Sequence, residues 1–176
     1  SFGKNDSILM SHASHKVPGI ELSTGSLGHG LPVATGVALA DKINKIKGKT
    51  FVLLSDGELD EGSNWESLLF SSHHKLNNLV VIIDYNKLQS IDFVKNTLNL
   101  EPLKQKFQSF GCKVVSVDGH NFKQLEKVLS SSSTKPLVII ANTIKGKGVS
   151  FMENSVLWHY KSLNSEDYQK AMKIIK

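Results

Sequence analysis

The chain has 176 residues, 40% of them hydrophobic and 21% charged, which fits one globular domain with a real core and excludes a disordered chain. Its single cysteine, Cys112, excludes a disulfide framework and a cysteine-built metal site, so a reducing, cytoplasmic setting is the default. The net charge is +5, but every basic residue is a lysine, and the lysines are scattered, so a solvated lysine surface is favoured over a nucleic-acid groove.

The N-terminal stretch SFGKNDSILMSH lacks the basic start and apolar core of a signal peptide. No later stretch approaches the roughly 20 apolar residues of a membrane span. Residues 25–44, GSLGHGLPVATGVALADKIN, form a glycine-rich loop opening a helix, with Pro32 near the first turn. TFVLLS (50–55) reads as a buried strand. SNWESLLFSSHHKL (63–76) carries Trp65, Leu68, Leu69 and Leu76 near helical spacing. LVVIIDYN (79–86) is a second buried strand, rich in β-branched residues. LEPLKQKFQSFG (100–111) predicts a helix stopped by glycine. CKVVSV (112–117) is a strand, NFKQLEKVL (121–129) a helix, SSSSTKP (130–136) a polar connector and PLVIIANT (136–143) a strand. The alternation predicts an α/β domain: a parallel sheet with helices on both faces. No internal repeat or linker divides residues 1–176.

Ligands of open parallel sheets bind beyond the carboxyl ends of the strands. Three loops are expected there: DGELDEG after the first strand, NKLQS after the second and TIKGKG after the last. The first holds four carboxylates, Asp56, Glu58, Asp60 and Glu61. Asp56 and Asn86, thirty residues apart at the ends of successive strands, have the hard oxygen donors that suit Mg²⁺. A helix N-terminus accounts equally well for Asp60 or Glu61 through the helix dipole. An EF-hand is excluded, because Glu61 and Ser67 fall where that loop needs glycine and glutamate. Asn77 and Asn78 precede their strand and belong to a helix-to-strand turn at the wrong end of the sheet.

The run SDGELDEGSNWESLLFSSHHKLNNLVVIIDYNKLQS resembles the thiamine diphosphate and Mg²⁺ motif of transketolases. STGSLGHGLPVATGVALA, VDGHN and TIKGKGVSFMENSVLWHYKSL are similar to further segments of that family, in order from about residue 10 to residue 165. Ser55 replaces the first glycine of the metal motif. The resemblance implies a thiamine diphosphate-binding fold, with Asp56, Asn86 and the Leu88 carbonyl holding Mg²⁺. It implies that Gly25, Leu27 and Gly57 line the cofactor and that Asn86 and Lys145 meet its diphosphate side. His159 would lie between diphosphate and substrate and handle protons. His12 would bind or help deprotonate the sugar, although the spacing also admits His15. Glu61 would face its counterpart across a dimer interface. Glu58 and Asp60 are expected to face solvent or the helix dipole. His73, His74 and His120 are expected to be structural, and His29 to lie near the cofactor loop.

The implied activity is transfer of a two-carbon ketol unit between sugar phosphates. The family's N-terminal helices and its pyrimidine-binding domain, with the activating glutamate, have no counterpart among these residues. Ser1 therefore reads as a truncation or a remodelled start, and the end as that of one subunit of a split enzyme. The implied partner is a complementary pyrimidine-binding chain, two copies of each, with no nucleic acid or membrane involved. The alternatives are another thiamine diphosphate enzyme of sugar or deoxyxylulose phosphate metabolism, and a degenerate interaction subunit.

Overall fold

A computed structural model describes residues 2–175; Ser1 and Lys176, the ends of the expected domain, lie outside it. Its centre is a four-stranded parallel sheet of β1 (Thr50–Ser55), β2 (Leu79–Tyr85), β3 (Lys113–Asp118) and β4 (Leu137–Asn142), in the spatial order β1-β2-β4-β3. The helices are α1 (Gly30–Ile43), α2 (Gly62–His73), α3 (Val94–Thr97), α4 (Leu103–Ser109), α5 (Phe122–Leu129) and α6 (Ser165–Ile175). Two single 3-10 turns, Gly57–Asp60 and Val156–His159, sit in loops.

β2 and β4 are central and buried on both faces, which is why LVVII and LVIIA are continuous apolar runs rather than alternating ones. Side-chain alternation sends Val81, Ile83, Val138 and Ile140 to one face. There they meet Leu31 and Ala38 of α1, Leu68 of α2 and Phe107 of α4. Trp65 stacks on Phe107 at 5.3 Å between ring centroids and donates its indole N–H to the Leu59 carbonyl. Val80, Leu137, Ile139 and Ala141 point to the other face, against Leu125 and Val128 of α5.

Three expectations change. β1 is not buried on both faces: Leu54 is packed, but Phe51 and Leu53 are 51% and 68% exposed. β1 is an edge strand, with one neighbour in the sheet. The helix expected over 100–111 begins only at Leu103, because the Pro102 ring fixes its own φ and suits the cap position. Leu69 is exposed on α2, and its neighbours Ser67 and Ser71 take the buried positions.

Candidate active site

The loops after β1, β2 and β4 converge at the carboxyl edge of the sheet. Asp56 directly follows β1, with 1% of its surface exposed. Its Oδ2 accepts the backbone N–H of Lys87 at 2.6 Å, which joins the first loop to the second beside Asn86. Lys87 holds a left-handed backbone (φ 67°), an uncommon conformation for a side-chain-bearing residue. Asn86 Oδ1 accepts the Leu88 N–H at 2.9 Å and closes that turn. Burial pushes the Asp56 carboxyl from 3.8 up to about 6; the nearby Asp84 adds to the rise, and Lys145 and the backbone donors oppose it. Asp84 accepts a short hydrogen bond from the Thr143 hydroxyl, which links β2 to the third loop.

Glu58 and Asp60 do not simply face solvent. Glu58 and Ser55 form a reciprocal pair: Ser55 N–H donates to Glu58 Oε2 at 3.1 Å, and Glu58 N–H donates to Ser55 Oγ at 3.2 Å. This is a capping box, spelled Ser-x-x-Glu at the mouth of the 3-10 turn. The other carboxylate oxygen, Oε1, accepts the N–H of Gly28 at 3.4 Å. Asp60 Oδ2 accepts from the side chain of the nearly buried Gln89 at 3.0 Å. Glu61 is exposed and has no ion-pair partner among the described residues.

The glycine loop lies against this turn. Gly28 has φ 76°, and a Cβ there would lie 2.6 Å from Ser63 Oγ and 2.7 Å from Glu61 Cβ. Its carbonyl accepts the Ser63 hydroxyl at 2.6 Å. At Gly25 an added Cβ would lie 3.2 Å from the His12 ring, so His12 packs on the loop. Leu27 projects with about half its surface exposed. Gly57 is different: a Cβ there would make ordinary contact with Gln89 at 3.5 Å, so nothing among the described residues demands glycine.

All of these loops lie within the span matched by one protein family. The family described as transketolase, thiamine diphosphate binding domain, matches residues 1–175. The chain belongs to the transketolase family. Over its whole length it is 44% identical to a protein of Actinobacillus succinogenes, named as one subunit of apulose-4-phosphate transketolase, of which it covers 65%. It is 37% identical to the 6-deoxy-6-sulfo-D-fructose transketolase subunit of a Clostridium species, covering 94% of this chain and 62% of that one. The solved transketolase of Campylobacter jejuni superposes with a TM-score of 0.89 at 33% identity, covering 98% of this chain but 28% of that protein. The chain thus spans less than two thirds of the subunit relatives and just over a quarter of a full-length transketolase.

Lys145 is half-buried in the loop after β4, and its charge acts on both Asp56 and His159. Partial burial, then Lys145, holds the exposed His159 imidazole below its usual value. Its neighbour Trp158 is anchored by an N–H bond to the Phe151 carbonyl at 3.1 Å, with Lys161 over its ring at 4.4 Å. His15 is engaged elsewhere, its Nδ1 2.6 Å from Ser23 Oγ. His29 reaches the Leu27 carbonyl through Nδ1 at 3.0 Å. His120, expected to be structural, accepts the Ile144 N–H on Nε2 at 2.8 Å and braces the loop carrying Lys145. His73 and His74 end α2 with their rings edge to face, and Asn78 donates to Ala38 at the opposite end of β2.

The donor set fits a hard cation. Asp56 is a buried carboxylate with backbone donors and no ion-pair partner among the described residues, and a second carboxylate, Asp84, raises its cost of ionisation. Asn86 adds a neutral amide oxygen on the adjoining turn. Carboxylate, amide and carbonyl oxygens are the ligands Mg²⁺ takes, with phosphate oxygens completing its shell. No helix among the described residues is long and apolar enough to cross a membrane.

Proposed function

We propose that this chain is the diphosphate- and metal-holding subunit of a two-chain transketolase. The pair would transfer a two-carbon ketol unit between sugar phosphates, and a cytoplasmic location belongs to the same reading. The observation that carries it is the buried Asp56 carboxylate, hydrogen-bonded to the turn that presents Asn86 and lacking an ion-pair partner among the described residues. Relatives at 44% and 37% identity are named for different ketoses, one a phosphate ester and one a sulfonate. Their shared chemistry supports a donor ketose that carries an anionic group.

Asp56, Asn86 and the Leu88 carbonyl would hold Mg²⁺, and Gly25, Leu27 and Gly57 would line the thiamine diphosphate. Lys145 would meet the diphosphate as a point charge. When bound, thiamine diphosphate supplies the carbon nucleophile and electron sink for breaking and forming the carbon–carbon bond. His159, biased toward neutral imidazole, would accept or return a proton at a substrate oxygen through a ring nitrogen. His12, against Gly25, would bind the sugar hydroxyls. Glu61 would meet a carboxylate across an interface. The other half of the site would come from a pyrimidine-binding chain, in an assembly with two copies of each; relatives named as subunits support a partner.

Calorimetric titration with thiamine diphosphate tests the reading, with and without Mg²⁺, on the chain mixed with its complementary subunit. Wild type should bind only with Mg²⁺, Asp56→Ala should lose that binding, and the exposed Asn77→Ala should keep it. Equal affinity of wild type and Asp56→Ala would remove Asp56 from the metal site. A coupled assay on xylulose 5-phosphate plus ribose 5-phosphate should show turnover by the mixture and none by this chain alone. Robust turnover by the lone chain would overturn the two-chain reading.

A further inference from the structure

We propose that Glu58 is a positioning residue: its two carboxylate oxygens tie Gly28 of the glycine loop to Ser55 at the end of β1, fixing the spacing of the two loops assigned above to cofactor and metal. The inference rests on that functional reading and adds a residue to it.

The hydrogen bonds divide the work at one carboxylate. Oε2 accepts Ser55 N–H and Oε1 accepts Gly28 N–H, the second from a residue thirty positions away. Gly28 is buried, so its N–H costs free energy if it is left without a partner. Ser63 Oγ holds the carbonyl of the same glycine, so this one residue is fixed at both its donor and its acceptor. Among the described residues, these two bonds at Gly28 are the hydrogen bonds that join residues 16–29 to the strand-end turn and α2. The loop has no secondary structure of its own before α1 begins at Gly30. Without Glu58 its placement would rest on Ser63 and side-chain contact.

Ser55 adds a second bond to the device. Its hydroxyl accepts Glu58 N–H and orients the turn so that the carboxylate points back at two amides. A glycine there would keep the N–H and lose the hydroxyl. The carboxylate has no basic partner in the described ion pairs, so its oxygens are free to serve backbone donors.

The test begins with hydrogen exchange on the chain without cofactor. In Glu58→Ala the amides of Gly28 and Ser55 should exchange about tenfold faster or more, as expected when a closed backbone donor loses its partner, while β2 and β4 amides keep wild-type protection. Glu58→Gln retains one acceptor oxygen and should fall between wild type and Glu58→Ala. Ser55→Gly should show a smaller change than Glu58→Ala. In the two-chain complex, thiamine diphosphate affinity should weaken by about tenfold in Glu58→Ala and less in Glu58→Gln. Unchanged exchange at Gly28 and Ser55, or loss of protection spread through β2 and β4, overturns the clamp. Local exchange without a change in affinity overturns the positioning role. Failure of the wild-type complex to bind thiamine diphosphate overturns the functional reading, and the positioning role with it, while the exchange data on the lone chain still decide whether the clamp exists.

Discussion

At the scale of single residues, Asp56 sets fold stability against metal readiness. Burial raises its carboxyl from 3.8 to about 6 in the fold, so folding favours the protonated form over the charged one. Below about pH 4 both states are protonated and the residue costs nothing. Between about pH 4 and 6 the unfolded chain ionises while the folded carboxyl keeps its proton, so stability falls by up to about 3 kcal/mol, a cost fully present above 6. Asp56→Asn should therefore raise the pH 7 stability of the metal-free chain by up to about that amount and flatten its decline between about pH 4 and 6, read by urea unfolding. The same variant should lose Mg²⁺-dependent cofactor binding. His159 behaves differently. It is exposed and has no packed role, so His159→Ala should shift stability by less than about 0.5 kcal/mol while slowing turnover of the complex. A large drop in melting temperature would mark the imidazole as structural. Asp56 was singled out in the sequence by position, as a strand-end aspartate thirty residues before a strand-end asparagine, whereas His159 was singled out only by the resemblance of its segment to transketolases. The raised carboxyl was not legible, since burial depends on how three loops fold over one strand end.

At the scale of elements, the turn and the glycine loop form one unit. Sequence periodicity placed the helix after the loop and the strand before the turn, but it could not show that they touch. The local part was readable: Ser55-x-x-Glu58 spells a capping box, although four neighbouring carboxylates in a row hide it. The tertiary part, Gly28 to Glu58, crosses thirty residues and has no sequence period. Glycines in the two loops should respond unequally. Gly28→Ala meets Ser63 and Glu61 below 3 Å and must hold a positive φ, so it should cost about 2 kcal/mol or more. Gly57→Ala places its methyl in ordinary contact with Gln89 and should cost less than about 1 kcal/mol, unless cofactor is present to compete for that space. Paired thermal melts of the two variants, without and with cofactor and Mg²⁺, separate constraints of the chain from constraints of the ligand.

At the scale of the whole molecule, the sheet is sheltered unevenly. Strand existence, parallel pairing and helical coverage followed from the βα alternation. What alternation could not supply was the strand order, and with it the fact that β1 lies at an edge with Phe51 and Leu53 exposed. Leu53, on the open side of β1, should be replaceable by threonine within about 0.5 kcal/mol, whereas Leu54, on the packed side, should lose about 2–5 kcal/mol on truncation to alanine. Denaturant midpoints for the pair test this directly.

The order β1-β2-β4-β3 also dictates when the sheet can close. β2 and β3 never pair with each other; each pairs with β4, the last of the four strands in the chain. Until residues 137–142 arrive, β2 lacks one ladder and β3 lacks its only one, and the apolar run of β2 has an open flank. Native pairing is therefore non-local, and such contacts are slow because loop closure must be met before they form. During synthesis the nascent chain should stay protease-sensitive until β4 has left the ribosome, then close in one cooperative step. Val138 and Ile140, near the middle of β4, are where slowed refolding of alanine variants would show it.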